Sequence, residues 1–519
     1  MIRVSNDMYR HIEELTGKSE RQQGENKELR AENRQLRGEN RRLSQRIEKL
    51  ELTYENRVAA TVAQAIERVT KPLYERIAKL EEDSRQKDTE ILRLKAQINK
   101  DSSNSSKPPS SNGFKKVPNN REPSGRKTGG QYGHKGHTVT IPENLEELVK
   151  NRKIEHEIID ETGGAEKFVS DWTIDLKVIP IYIECRRAAG IPPSIRYGTE
   201  VRALSVYLQN VGMMSLERVA EYFTVATNGL ISLSEGAILG FSRSAAEKID
   251  LEPFIQDLLN GEVMHTDDTP VKTTQRHELG APEVETAKHT TFSAYVRTYS
   301  NARTTLLTAN AHKDEESVKH DNILTRFWGI LSHDHEAKFY NYGTKHATCG
   351  AHLTRELKGM SELCMLNWAG RVRRFFLEMN KKKKEDLSDD ETFCNPAILR
   401  EYEIQYDALI QDGAAHLAGM KEKTLGFDAL RKMVNRLRDF KDTYMLFMRD
   451  YTAPFTNNQS ERDLRHCKVK QKVSGCYRAW QGLLDYCKIR SLTDTARKRG
   501  VNVLHAIRSC LSSTRPAEL

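Results

Sequence analysis

Apolar residues recur every seven positions in the N-terminal hundred residues. The repeat has leucine at one seam position and mostly asparagine at the other: Asn26, Leu29, Asn33, Leu36, Asn40, Leu43, Ile47 and Leu50. This pattern is typical of a two-stranded parallel coiled coil, in which buried asparagine fixes the register. Glu25 with Arg30, and Glu32 with Arg37, can pair across such a seam. Residues 1–100 are therefore predicted to form a dimerising leucine zipper, with a solitary solvated helix as the alternative.

The heptad pattern gives way to a polar linker over residues 101–140. This segment contains Ser, Pro, Gly, Asn and basic residues with few apolar side chains, a composition that cannot bury enough surface to fold alone. Its basic residues can follow a phosphate backbone, although a simple tether would have the same composition. The DNA-binding candidates are Lys107, Lys115, Lys116, Arg126, Lys127 and Lys135.

Two small modules are predicted after the linker. The alternation of apolar residues in KVIPIYIEC predicts a β-rich module over residues 141–196. Residues 197–250 have apolar residues at helical spacing in three short stretches. Helix, short turn and helix is the construction of a helix-turn-helix DNA reader, but any small helical domain has this pattern.

From residue 251 onwards strands and helices alternate, which predicts a mixed sheet with helices packed on its faces. The apolar runs VMHT and WGILSH are predicted strands that end at Asp267 and Asp334. We expect one α/β domain over residues 251–475, with a helical insertion at about 353–450. A helical segment over 476–519 completes a multidomain α/β chain.

Composition narrows the class of protein. The 519 residues include 82 Lys and Arg against 73 Asp and Glu, and the net charge of +9 suits a polyanion partner such as nucleic acid. The eight cysteines form no CxxC pair, which excludes a CxxC…CxxC zinc ribbon. No run approaches 18 apolar residues, so we expect a cytoplasmic protein without membrane attachment.

Three acidic residues are the candidate reactive groups: Asp267 in HTDDTPV, Asp334 in GILSHDHEAKFY and Glu461 in NNQSERDLRH. Converging carboxylates repel one another, and divalent cations neutralise such clusters in sites that cut or join phosphodiester bonds. Each acid also has an ordinary explanation. Asp267 can cap a helix or form a turn, Asp334 can end a strand in a loop, and Glu461 has capping-box spacing from Asn458.

Five segments occur in a fixed order along the chain: DSSNSSKPPSSNG, GRKTGGQYGHKGHT, HTDDTPV, HATCGAHLTREL and NNQSERDLRHCKVKQKVSG. Over nearly its whole length the chain resembles the bacterial insertion-sequence-66 family of DDE transposases. The resemblance implies a ribonuclease-H-like catalytic core in which Asp267, Asp334 and Glu461 are the catalytic and metal-binding residues. It also implies supporting roles for Cys349 and His352, for which a buried structural role is the alternative.

The resemblance further implies a reaction and its partners. Two Mg²⁺ ions, replaceable by Mn²⁺, would serve cleavage at the ends of an insertion sequence and strand transfer into target DNA. Double-stranded DNA, a second protomer bound through the coiled coil, and accessory transposition proteins are the implied partners, in the bacterial cytoplasm at the nucleoid. The basic residues that we expect to hold DNA phosphates are Arg462, Arg465, Lys468, Lys470 and Lys472.

One module departs from the family pattern. Relatives have a cysteine-rich zinc module where residues 152–187 keep only Cys185, and because a structural zinc site requires four ligands, we expect no zinc there. Two other functions stay open. The chain can be a non-catalytic DNA-binding regulator derived from a transposase, or a metal-dependent nuclease without strand transfer.

Overall fold

The computed structural model describes most of residues 141–512, the helix at 56–98, parts of 14–44, and residues 100 and 104. Gaps within 141–512 fall at 152–153, 161–168, 171, 185, 187–194, 282 and 287–289. Several predictions therefore lie outside the described residues. They concern Asn26, Asn40, Leu43, Ile47, Leu50, Lys107, Lys115, Lys116, Arg126, Lys127, Lys135 and Cys185.

The heptad helix pairs with a second helix of the same chain. Ion pairs connect α1 (27–39) and the residues just before it with α2 (Asn56–Ile98): Glu25–Lys87, Arg30–Asp88, Glu32–Arg76 and Arg37–Glu81. The earlier residues of the first helix reach the later part of α2, and the later residues reach its earlier part. The two helices are therefore antiparallel.

This hairpin corrects the predicted partners of the seam charges. Glu25, Arg30, Glu32 and Arg37 were expected to pair across a dimer seam, but all four pair within the chain. The seam residues Asn33 and Leu36 are buried, and the buried residues of α2 also follow a heptad: Thr70, Ile77, Ser84 and Ile91. Heptad spacing specifies a seam but not the chain or direction of its partner, so pairing of two chains through it stays a prediction.

Pro118–Arg196 and Leu216–Ile238 form one compact unit. The described residues between 141 and 196 contain one helix, α3 (Leu145–Lys150), and no strand, so the prediction of a β-rich module was wrong there. The apolar residues of KVIPIYIEC that the structure describes lie outside any helix or strand and are mostly exposed; Ile181 and Ile183 are 84% and 83% exposed. Alternation produces a strand only where a neighbouring strand accepts its hydrogen bonds.

The three helices predicted in residues 197–250 are present: α4 (Thr199–Asn210), α5 (Leu216–Ala226) and α6 (Glu235–Glu247). The N–H of Ala237 donates to Ser234 Oγ at 3.1 Å, which caps α6. These helices do not form a separate domain. α4 belongs to the large unit, where Ala203 and Val206 are buried in the core, whereas α5 belongs to the other unit.

The large unit contains a five-stranded mixed sheet. The described residues form the strands β1 (Val263–Thr273), β2 (Gln275–Arg276), β3 (Glu285–Thr286), β4 (Phe292–Ser300), β5 (Thr305–Asn310), β6 (Ile330–His333) and β7 (Lys345–Thr348). The order in the sheet is β5-β4-β1-β6-β7, and β2 pairs with β3 separately. β4 is antiparallel to β1 and β5, whereas β6 is parallel to β1 and β7.

Helices that come before, between and after the strands in the sequence complete the core of this unit. They are α7 (Glu252–Leu259), α8 (Glu315–Asp321), α14 (Asn458–Ser474), α15 (Trp480–Lys498) and α16 (Val503–Ser512). α15 covers the edge strand β5. The N–H groups of Thr305 and Leu307 donate to Thr495 Oγ1 and Ser491 Oγ at 3.0 and 2.9 Å, which satisfies an otherwise open edge. The predicted boundary at residue 475 is therefore wrong, because the C-terminal helices share the core of the sheet.

The predicted helical insertion is present between β7 and α14. It consists of α9 (Gly350–Leu363), α10 (Asn367–Ser388), α11 (Pro396–Gly419), α12 (Phe427–Asp439) and α13 (Lys441–Arg449). Trp368, Phe376 and Met445 are buried in an apolar cluster of its own. The insertion explains how Glu461, far from the aspartates in sequence, returns to the sheet on α14.

Candidate active site

Asp267 in β1 lies beside Asp334, which directly follows the neighbouring strand β6. β1 and β6 pair in parallel through Val263 with Ile330 and His265 with Ser332. The residue numbers in each pair differ by 67, and those of Asp267 and Asp334 differ by 67 as well. Each aspartate therefore lies two positions after a member of the last pair. Because adjacent strands lie about 4.8 Å apart, the geometry brings the carboxylates together.

One predicted strand end is confirmed and the other is wrong. β6 ends at His333, directly before Asp334, as the apolar run indicates. β1 continues through Asp267 to Thr273, because β4 goes on pairing with it after β6 has ended. Asp267 therefore lies inside a strand and not in the cap or turn that its sequence also allowed.

Asp267 forms no ion pair with any cationic side chain that the structure describes. Burial raises its pKa well above the usual range, repulsion from Asp334 raises it further, and the N–H of Asp268, 2.8 Å from Oδ1, opposes the shift. No lysine, arginine or histidine within the described ranges forms an ion pair with Asp267 or Asp334. Lys313 forms an ion pair with Glu336 instead. Paired carboxylate oxygens without a protein cation suit a hard divalent ion such as Mg²⁺.

Asp334 begins a constrained turn. The residue after it, His335, has a φ of 76°, a left-handed conformation that is unusual for a side chain other than glycine. The N–H of Glu336 donates to Asp334 Oδ1 at 3.3 Å. Burial, followed by repulsion from Glu336, raises the pKa of Asp334. Strain of this kind is maintained only where the surrounding structure enforces it.

Asp268 faces a different environment from Asp267. Its carboxylate accepts from Arg297 Nε at 2.8 Å and forms an ion pair with Lys338. Arg297 is completely buried and also pairs with Asp321 at 2.8 Å. Successive residues of a strand point to opposite faces, so Asp268 anchors an ionic network and Asp267 is free for the site. This separation supports the choice of Asp267 made from the sequence.

Glu461 lies in the first turn of α14, where the helix N-terminus favours a carboxylate. It adds to the repulsion on Asp267, after burial and Asp334. His352 Nδ1 lies 3.6 Å from Glu461 Oε1, and neither buried atom has a hydrogen bond among the described residues. The capping box is absent, because the N-cap of α14 is Asn457 and its side chain forms no capping bond. Asp267, Asp334, His352 and Glu461 thus converge.

Cys349, His352 and Glu461 also form a group whose possible ligand atoms lie within 4.8 Å of one another. The Cys349 sulfur is buried and accepts the N–H of Asn457 at 3.2 Å. Burial raises the pKa of its thiol to about 11. Burial and the hydrogen bond from Asn457 fit the structural role for Cys349 that was the alternative to a supporting role at the site.

The basic residues of α14 divide between two faces. Arg462, Arg465, Lys468 and Lys472 are exposed, whereas Lys470 is buried. Lys470 Nζ donates to Gln209 O at 3.0 Å, and burial lowers its pKa to about 8. The expectation that Lys470 contacts DNA is therefore corrected. Its position falls on the buried stripe of Ser460, Leu464 and Cys467.

Asn457 is the site residue that the sequence analysis missed. It is 1% exposed, and its side chain hydrogen-bonds to residues of β1 and β6. The signal in the sequence was the asparagine pair of NNQSER, from which only Asn458 was considered as a helix cap. The sequence does not reveal that Asn457 contacts His265 and Thr266, about 190 residues earlier in the chain. From the sequence alone, Asn457 could equally have been a helix cap.

Together these features describe a mixed α/β protein in which Asp267, Asp334 and Glu461 lie close to one another. A family model described as the Transposase IS66 family matches residues 194–483, more than half of the chain. The chain therefore belongs to the IS66 family of transposases. A model of a family of unknown function (DUF6444) matches residues 17–140. No curated protein matches the chain. No described helix has the length and apolar character that crossing a membrane requires.

Proposed function

We propose that the chain cleaves DNA at the ends of an insertion sequence and transfers the freed strands into target DNA. One observation carries this proposal. Asp267 in β1 and Asp334 directly after β6 hold equivalent positions, and neither forms an ion pair with a lysine, arginine or histidine among the described residues. Glu461 approaches from α14, as a third carboxylate of one divalent metal site would. We infer that the mixed sheet beneath them serves as the ribonuclease-H-like core that the resemblance implies; its five-strand order β5-β4-β1-β6-β7 supports this inference.

Asp267, Asp334 and Glu461 are the residues that would hold Mg²⁺, or Mn²⁺ in its place. The fit rests on the donor set, which consists of carboxylate oxygens only; burial raises the pKa of both aspartates, and repulsion from Asp334 raises that of Asp267 further. Bound Mg²⁺ supplies Lewis-acid stabilisation of an attacking or leaving oxygen. The protein itself contributes the spacing of the carboxylates and His352, whose Nδ1 lies 3.6 Å from Glu461 Oε1.

The DNA-binding surface that we propose begins directly after Glu461. Arg462 and Arg465 are exposed within the next turn of α14, and Lys468 and Lys472 continue along the helix. Side chains so placed can hold the phosphates of the strand that enters the site, which gives affinity that falls with salt. The basic linker and the helices α5 and α6 remain candidates for reading the DNA ends.

The test is an assay with a labelled insertion-sequence end, target DNA and the full chain, with and without Mg²⁺. Wild type should yield metal-dependent cleaved and joined products, and Asp334→Asn should yield neither. Glu262→Gln is the matched control, since Glu262 is an exposed acid that lies directly before β1. Asp268→Asn is unsuitable as a control because it would leave Arg297 buried without its partner.

The same assay separates the two other functions. Cleaved ends without joined products would identify a metal-dependent nuclease and reject strand transfer. Binding of the DNA end without any cleavage, equal in wild type and Asp334→Asn, would identify a non-catalytic regulator. Either outcome would overturn the proposal.

A further inference from the structure

Asn457 is the N-cap residue of α14 but does not cap it. Asparagine is among the preferred N-cap residues because its side chain accepts an N–H of the first helical turn. Here the side chain forms no such bond and is buried instead beneath the candidate active site. An asparagine that forgoes its usual capping bond therefore contributes through other contacts.

The side chain of Asn457 connects the two strands that bear the aspartates. Its Nδ2 donates to Thr266 O at 2.8 Å, and its Oδ1 lies 2.9 Å from His265 Nδ1. Ser332 Oγ lies 3.4 Å from the same Oδ1. A carbonyl oxygen only accepts, so the bond to Thr266 fixes the amide orientation. Oδ1 must then accept from His265, which places the proton of the imidazole on Nδ1.

Hydrogen bonds also fix the backbone around Asn457. Its N–H donates to Cys349 Sγ at 3.2 Å, and the N–H of Gly350 donates to Phe455 O at 2.8 Å. A Cβ on Gly350 would lie 2.5 Å from the Phe455 ring, so only glycine allows this approach. The segment before α14 is thus fixed to the start of α9, which bears His352.

We propose that Asn457 is a positioning residue that places Glu461 against Asp267 and Asp334. Its partners are the two residues before Asp267 and the second residue before Asp334, and Glu461 follows it by one helical turn. A single buried side chain therefore joins the three elements that supply the carboxylates. This inference rests on the proposed metal site and predicts that Asn457 governs metal affinity.

If Asn457 only stabilised the fold, its removal would lower stability without a specific effect on metal binding. Removal of a buried hydrogen-bonding group always lowers stability, so a loss of stability does not distinguish the two roles. Asn395 provides the control. It is the N-cap of α11 in the helical insertion, and its Oδ1 accepts from the N–H of Ala397 at 2.9 Å. Asn395→Ala removes a capping asparagine without touching the site.

The experiment measures Mn²⁺ binding to the full chain by paramagnetic resonance, beside thermal unfolding and the Mn²⁺ dependence of DNA cleavage. Asn457→Ala should weaken Mn²⁺ binding about tenfold or more, equivalent to about 1.4 kcal/mol, and high Mn²⁺ should restore cleavage. Asn395→Ala should bind Mn²⁺ as wild type does. Asn457→Ser serves if Asn457→Ala does not fold, because serine can cap α14 but is too short to reach Thr266. It should weaken binding equally.

Wild-type Mn²⁺ affinity in the folded Asn457 variants would overturn this inference and leave the proposed function intact. Equal weakening by Asn395→Ala would also overturn it, since the effect would then follow stability alone. Asp267→Asn distinguishes failure of the proposed role of Asn457 from failure of the proposed metal site. If it does not reduce Mn²⁺ binding in an otherwise wild-type chain, the metal site itself is rejected, and both proposals fail.

Discussion

Asp267 and Asp334 occupy equivalent positions on parallel neighbouring strands, two residues beyond the pair of His265 and Ser332. This relationship puts like charges close together in a partly buried place. Among the described residues neither aspartate forms an ion pair with a cation, and His352 and Lys313 offset only part of the burial and repulsion that raise the pKa of Asp334. The arrangement costs stability and is explained by a function that brings divalent ions to it.

Asp267→Asn should stabilise the metal-free protein. The substitution keeps the shape of the side chain and removes a charge that burial and Asp334 disfavour. We expect the free energy of unfolding in the presence of a chelator to rise by about 1 kcal/mol, as measured by denaturant titration. Glu262→Gln should change it by less than about 0.5 kcal/mol. A clear loss of stability in Asp267→Asn would contradict this explanation.

Asp268→Asn should have the opposite effect. It removes one of the two carboxylates that neutralise Arg297, whose side chain is completely buried. Breaking one side of a buried ion pair costs about 3 kcal/mol, so the unfolding midpoint in urea should fall. Equal stability of Asp268→Asn and Asp267→Asn would contradict the conclusion that Asp268 stabilises the fold through Arg297 whereas Asp267 does not.

Lys470 should make stability depend on pH above neutrality. Burial lowers the pKa of its ammonium group to about 8 in the folded protein, below the usual 10.5. Between these values the unfolded chain binds more protons, so stability rises with pH. Relative to Lys470→Met, wild type should gain about 2 kcal/mol from pH 7.5 to about 10. The difference between wild type and Lys472→Met, an exposed lysine of the same helix, should stay constant.

The helical hairpin predicts a cross-link within one chain. Lys87 Nζ lies 3.2 Å from Glu25 Oε2, so zero-length carbodiimide coupling should join these residues. A mixture of ¹⁵N-labelled and unlabelled protein shows whether the two cross-linked peptides come from one chain or from two. We expect each cross-linked peptide to contain one isotope only. Peptides that combine both isotopes would show that α1 pairs with another chain.

Local patterns in the sequence predicted much of the fold. Heptad spacing located the seam at Asn33 and Leu36, apolar runs located β6, and helical spacing located the insertion. The order of motifs gave the family, and the alternation along β1 is what separates Asp267 from Asp268. Such features depend on neighbours in the sequence, which is why they could be predicted.

Features that depend on distant partners could not be predicted. Heptads do not reveal that Glu25 meets Lys87, and the alternation before Cys185 does not reveal that no strand adjoins it among the described residues. Asn457 could equally have been an ordinary helix cap. Lys470 is an intermediate case: its place on the apolar stripe of α14 gave a signal for burial, but its charge suggested a DNA contact.

The most direct measurement replaces one proposed ligand atom by sulfur. Carboxylates suit both Mg²⁺ and Mn²⁺, whereas a thiolate is a poor ligand for Mg²⁺. Asp334→Cys should therefore be inactive on a labelled insertion-sequence end in Mg²⁺ and should regain cleavage and joining in Mn²⁺, while wild type is active in both. Activity of Asp334→Cys in Mg²⁺ equal to that of wild type would contradict the assignment of Asp334 to the metal site.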